Sequence, residues 1–100
     1  MIDIMDIPDD ELNRYVKRLI PMLTRRKPGE WVLIASIAND PARFYDVVVC
    51  LNSYGYFKNN LGWSMIEVSN DEKYIRISPD NLRMMKRDDR YRWKYENLWK

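Results

Sequence analysis

Histidine is absent from this 100-residue chain and cysteine occurs once, as Cys50. The first absence removes the usual general base and the commonest zinc ligand. The second excludes an intrachain disulfide and a thiolate metal cage, and fits a reducing, cytoplasmic setting. Glycine is nearly as scarce, with three residues, and there is no Gly-rich phosphate loop, nucleophile elbow or metal-ligand spacing. The expectation is therefore a chain that is not an enzyme, with no catalytic residues, no metal and no cofactor. No stretch approaches the roughly 20 apolar residues of a membrane span. The first twenty residues carry Asp3, Asp6, Asp9, Asp10 and Glu11 without a basic lead-in, which argues against a signal peptide and against a membrane partner.

Excess charge is also small: 17 Lys and Arg stand against 15 Asp and Glu, a net +2. Any basic surface must be local. Residues 78–100 hold seven basic and four acidic groups, net +3, against ten and eleven in residues 1–77, so the excess gathers at the C-terminal end. With 46% apolar residues, the chain can bury one modest core as a single domain.

Residues 9–27 repeat apolar side chains at helical spacing, Leu12, Tyr15, Val16, Leu19, Met22 and Leu23, with Arg14, Lys17 and Arg18 opposite. The acidic first turn and the basic cluster Arg25, Arg26, Lys27 both complement a helix dipole, while Pro21 predicts a kink. EWVLIASIA, residues 30–38, is too short and too uniformly apolar for periodicity to separate helix from strand. The expectation leans to a buried helix with Trp31, Ile34, Ala35 and Ala38 on one side. Asp40 and Pro41 then read as an N-cap and first helical residue. A helix over 41–54 follows, with Phe44, Val47, Val48, Leu51 and Tyr54 on one face, Asp46, Val49 and Ser53 on the other, and Gly55 as its left-handed end.

WSMIEVS and KYIRIS, on either side of Asn70, Asp71 and Glu72, read as a β-hairpin. Placing Val68 opposite Ile75 puts Glu67 opposite Arg76 on the solvent side. Ser78 and Pro79 open another helix, expected to run to about Arg87. Beyond it Arg90, Arg92 and Lys94 alternate with Tyr91, Trp93 and Tyr95, which fits an extended segment with one basic and one aromatic face.

The segment IASIANDPARFYDVVVCLNSYGYF, ending Leu51-x-x-x-Gly55-Tyr56-Phe57, resembles the core of the winged helix-turn-helix superfamily. Residues 9–78 are similar to it in element order. The fold class expected is thus mainly α with a small β-hairpin: three helices and a wing in residues 1–78, then a C-terminal helix and extended segment in residues 79–100. The resemblance implies a duplex DNA partner and a transcriptional regulator, with the helix from residue 41 in the major groove and the hairpin on the backbone. Carried over by position, it places Ala42, Arg43, Tyr45, Asp46 and Val49 against DNA. Arg43 and Tyr45 become the groove contacts, and Arg25, Arg26, Lys73 and Arg76 the phosphate contacts. Asp46 and the acidic turn at Asp71 and Glu72 depart from that pattern, because both repel phosphate. A second expectation is therefore a winged-helix protein-interaction module that does not bind DNA. In either case Tyr91, Trp93, Tyr95, Leu98 and Trp99 are the candidates for self-association or a partner interface, since large apolar side chains cluster there.

Overall fold

The computed structural model describes residues 2–27, 29–59, 61–86 and 88. After a 3-10 turn at Ile4–Asp6, capped by Asp3, helix α1 spans Asp9–Thr24. Its acidic first turn holds Asp9, Asp10 and Glu11. Val16, Leu19 and Leu23 are buried in the core, with Leu12, Tyr15 and Met22 packed against it, as the helical spacing predicts. The helix continues through position 21 and ends at Thr24. Arg26 lies beyond that end, and its Nη1 donates to the Met22 carbonyl at 3.1 Å, occupying one of the acceptors a helix terminus leaves open.

The buried helix expected over residues 30–38 is a strand followed by a single turn. Strand β1 is Val32–Leu33, and a 3-10 turn spans Ile34–Ser36. The reason is pairing: Val32 and Leu33 ladder with Ile75 and Tyr74, and the Ile34 N–H donates to the Lys73 carbonyl at 2.8 Å. Only Val32 and Ile34 point fully inward, whereas Trp31 and Ala35 are exposed.

Helix α2, Pro41–Ser53, starts as the sequence indicates, with the Asp40 side chain accepting the Arg43 N–H at 3.2 Å and Pro41 in the first turn. Its end is a Schellman closure: Gly55 has φ +81°, its N–H reaches the Asn52 carbonyl, and the Tyr56 N–H reaches that of Leu51. Phe44, Val47, Val48, Cys50 and Leu51 are buried and Asp46 and Ser53 exposed. Tyr54, expected inward, is 59% exposed, because the closure begins at that residue and turns it off the helical face.

Strands β2, Ile66–Val68, and β3, Tyr74–Ile77, form the expected hairpin in the expected register: Val68 opposite Ile75, Glu67 opposite Arg76. With β1 they make a three-stranded antiparallel sheet of order β1-β3-β2, so the fold combines α and β layers more evenly than a helical bundle with one hairpin. Ile66, Ile75 and Ile77 face the helices and join the core with Phe57 and Met65. Helix α3, Pro79–Arg83, is capped by Ser78 and is shorter than the expected run to Arg87, which lies outside the described residues. It tightens at its end, where the Met85 N–H donates to the Leu82 carbonyl and Met85 turns into the core. A polar junction ties the layers together. Asn52 on α2 accepts from the Ser64 hydroxyl and donates to the Ile66 carbonyl, and Asn81 on α3 donates to the Ser64 carbonyl.

Candidate nucleic-acid interface

The cations expected to grip DNA are mostly engaged elsewhere. Arg43 Nε lies 3.0 Å from Glu11 Oε1, so the first turn of α2 is strapped to the first turn of α1. That hydrogen bond raises the Arg43 pKa further above its ordinary value. Arg76 donates to Glu67 across the hairpin, with Nη2 at 2.8 Å, and its guanidinium sits 4.2 Å over the Trp31 ring. Its Nη1 also reaches the Gly29 carbonyl at 3.4 Å. Arg26 is turned back on its own helix. Among the described residues, Arg25 and Lys73 are the sequence-derived candidates that are exposed and without an ion-pair partner.

Tyr45 is half-buried and packs against the core, so it offers one edge to solvent. Asp46 beside it is exposed. The β2–β3 turn is acidic and ordered by its own hydrogen bonds. The Ser69 hydroxyl and the Lys73 N–H both donate to the Asp71 carboxylate, which holds it below its usual range. Glu72 takes φ +65° to complete the turn. A charged Asp71 at this tip disfavours a phosphate backbone.

A positive surface outside the expected DNA contacts lies along α1 and just past its end. Residues 12–27 carry six basic groups and no acidic one, a signal visible in the sequence as a one-sign run of sixteen positions. Arg14 and Arg18 are one turn apart, exposed, and without an ion-pair partner among the described residues. Together with Asn39, Asp40 and Arg43 they rim a groove of about 400 Å³ between α1 and the start of α2. Its floor is apolar: Leu19, Met22, Ile37, Ala38, and the Tyr15–Phe44 ring pair, whose centroids are 5.3 Å apart. Burial, and then the neighbouring Glu11 charge, push the Tyr15 hydroxyl above its ordinary pKa.

The outward face of the sheet is the other notable surface. Leu33 and Tyr74 are cross-strand partners, and Trp31 stands over Arg76. Trp31 and Leu33 are each 42% exposed and Tyr74 36%, so three large apolar side chains share one face. Tyr91, Trp93, Tyr95, Leu98 and Trp99 lie outside the described residues. Among the described residues no cluster of three or more metal-ligating side chains occurs, and no helix is long and apolar enough to cross a membrane. Comparison with models of known families, with curated proteins and with solved structures finds no match, so a reading of function rests on the chain's own geometry.

Proposed function

We propose that this chain is a winged helix-turn-helix module that binds duplex DNA as a cytoplasmic transcriptional regulator, with α2 presented to the major groove and the β2–β3 hairpin as its wing. The observation that carries the reading is topological. The order α1, β1, 3-10 turn, α2, β2, β3, with β3 central in the sheet and a tight Asn39-Asp40-Pro41 break before α2, supports it, although the 3-10 turn Ile34–Ser36 stands where such a module has its second helix. The grip on DNA differs from the one expected from position alone. Arg43 and Arg76 hold Glu11 and Glu67, while Arg14 and Arg18, beside the Asn39 turn at the start of α2, have no ion-pair partner among the described residues and are placed to meet phosphates. Lys73 adds a cation at the wing.

The test is fluorescence anisotropy of a labelled duplex across a salt series. Each phosphate contact contributes about −0.9 to the slope of log affinity against log salt, so Arg14→Ala with Arg18→Ala flattens that slope by about 1.8. Absence of binding by the unaltered chain at low salt ends the proposal.

The exposed face of Trp31, Leu33 and Tyr74 favours a second reading, a winged-helix module that docks on protein, since exposed aromatics beside an arginine are what interface hot spots use. Homodimerisation through Tyr91, Trp93, Tyr95, Leu98 and Trp99 belongs to that reading. Light scattering that gives a monomer at all concentrations, for the unaltered chain, removes the homodimer.

A further inference from the structure

We infer that the groove between α1 and the start of α2 binds a small organic anion with an apolar body, such as an aryl or acyl chain bearing one carboxylate, sulfonate or phosphate. Four observations lead there. The groove's volume, about 400 Å³, falls within the range of small-molecule sites. Its floor of Leu19, Met22, Ile37, Ala38 and the tilted Tyr15–Phe44 pair suits a flat or aliphatic body.

The remaining two concern charge. Both carboxylates on the rim are already engaged: Glu11 holds Arg43 at 3.0 Å, and Asp40 accepts the Arg43 N–H at 3.2 Å as the cap of α2. Arg14 and Arg18 have no ion-pair partner among the described residues, and their one-turn spacing lets both guanidiniums converge on one anionic head. Asn39 on the opposite wall adds an amide that can donate or accept. Inorganic phosphate alone leaves the floor empty, and a neutral apolar compound leaves the arginines unused. The ligand class needs both parts.

The site does not depend on the duplex reading. Its test is a fluorescence titration of the full chain with 8-anilinonaphthalene-1-sulfonate, run beside its uncharged analogue N-phenyl-1-naphthylamine and beside inorganic phosphate as competitor. The sulfonate dye is expected to saturate at one equivalent. The neutral analogue is expected to bind about tenfold more weakly, in line with the loss of a charge-assisted contact. Arg14→Ala with Arg18→Ala is expected to weaken the sulfonate dye about tenfold and leave the neutral analogue unchanged. Both arginines are exposed and without an ion-pair partner among the described residues, so circular dichroism of the variant is expected to match the parent. Trp31→Ala, on the sheet face, is expected to leave the titration as it was.

Equal binding of the two dyes overturns the inference, as does an unchanged sulfonate titration in the double variant. Displacement of the dye by millimolar inorganic phosphate reduces the groove to a simple phosphate contact and overturns it as well. A chain that binds the dye in this pattern but no duplex keeps the groove and loses the winged-helix function, so the two inferences fail separately.

Discussion

Replacing Gly29 by alanine probes the joint between the α1–β1 connection and α3. Gly29 has φ +81°, and a Cβ there would stand 3.1 Å from Pro79 Cβ and 3.2 Å from its Cγ. The left-handed conformation costs an L-residue about 1–2 kcal/mol. The Pro79 ring cannot rotate away, so overpacking adds about 1–3 kcal/mol, while the stiffer unfolded chain returns about 0.4–1 kcal/mol. A net loss of about 3 kcal/mol, within a range of about 1–5 kcal/mol, follows. Gly55→Ala is the internal control: φ is also +81°, but its nearest neighbour at 3.3 Å is the Lys58 Cδ, the stem of a side chain that can swing aside. Its loss should be close to the backbone cost alone, about 1 kcal/mol. Urea denaturation followed by tryptophan fluorescence reads the difference, and each kcal/mol moves the melting temperature by about 4–8 °C in a domain of this size. Equal losses in the two variants would refute the reasoning, since the Gly29–Pro79 contact would then carry no energy.

Cys50 predicts a pH dependence. Burial, followed by the charges of Asp3 and Asp6, raises its thiol pKa, so the folded chain keeps a proton that the unfolded chain releases above the ordinary thiol value of about 8.5. Stability is therefore full below that value and falls as pH rises through it. Cys50→Val should abolish this slope between pH 8 and 10 in chemical denaturation, before Tyr15, raised in the same direction, adds its own loss at higher pH. Asn52→Leu leaves the Ile66 carbonyl and the Ser64 hydroxyl without their α2 partner and should cost about 1–3 kcal/mol by urea midpoint; a neutral result would mean the junction is replaceable by packing. Asp40→Ala should cost about 1 kcal/mol through the lost N-cap, and a loss below the error of the midpoint would show that Pro41 alone starts α2.

The ends of α2 and the hairpin register were legible because their signals are local. Asp40-Pro41 and Gly55 announce a cap, a first turn and a left-handed exit, and alternation around Ile66 and Ile75 leaves one register that buries both. Strand β1 was not legible, because two residues cannot display a period and its partner lies some forty positions away. The site failed in a different way. Position on the helix singled out Arg43, and cross-strand geometry singled out Arg76, but neither shows that Glu11 folds back onto Arg43 or that Trp31 slides beneath Arg76. Arg14 and Arg18 were visible as a basic helix face; what the sequence hid was the apolar floor that α2 and Ile37 bring beside them.

The sheet order has a consequence for the order in which the chain can acquire structure. β3, the central strand, is the last of the three to leave a ribosome, and both earlier strands depend on it for their ladders. Until residues 74–77 emerge, Val32 and Ile66 have no strand to pair with, and the first sixty or so residues can gather only as helices around Phe44, Val47 and Leu51. Closure of the 32-to-75 pairing joins segments far apart in sequence, so its loop-closure entropy has to be met before that ladder can contribute. Slow translation through the hairpin would thus prolong the interval in which two orphan strands are open to other chains, and the rate at which Ile75 and Ile77 arrive becomes a determinant of yield.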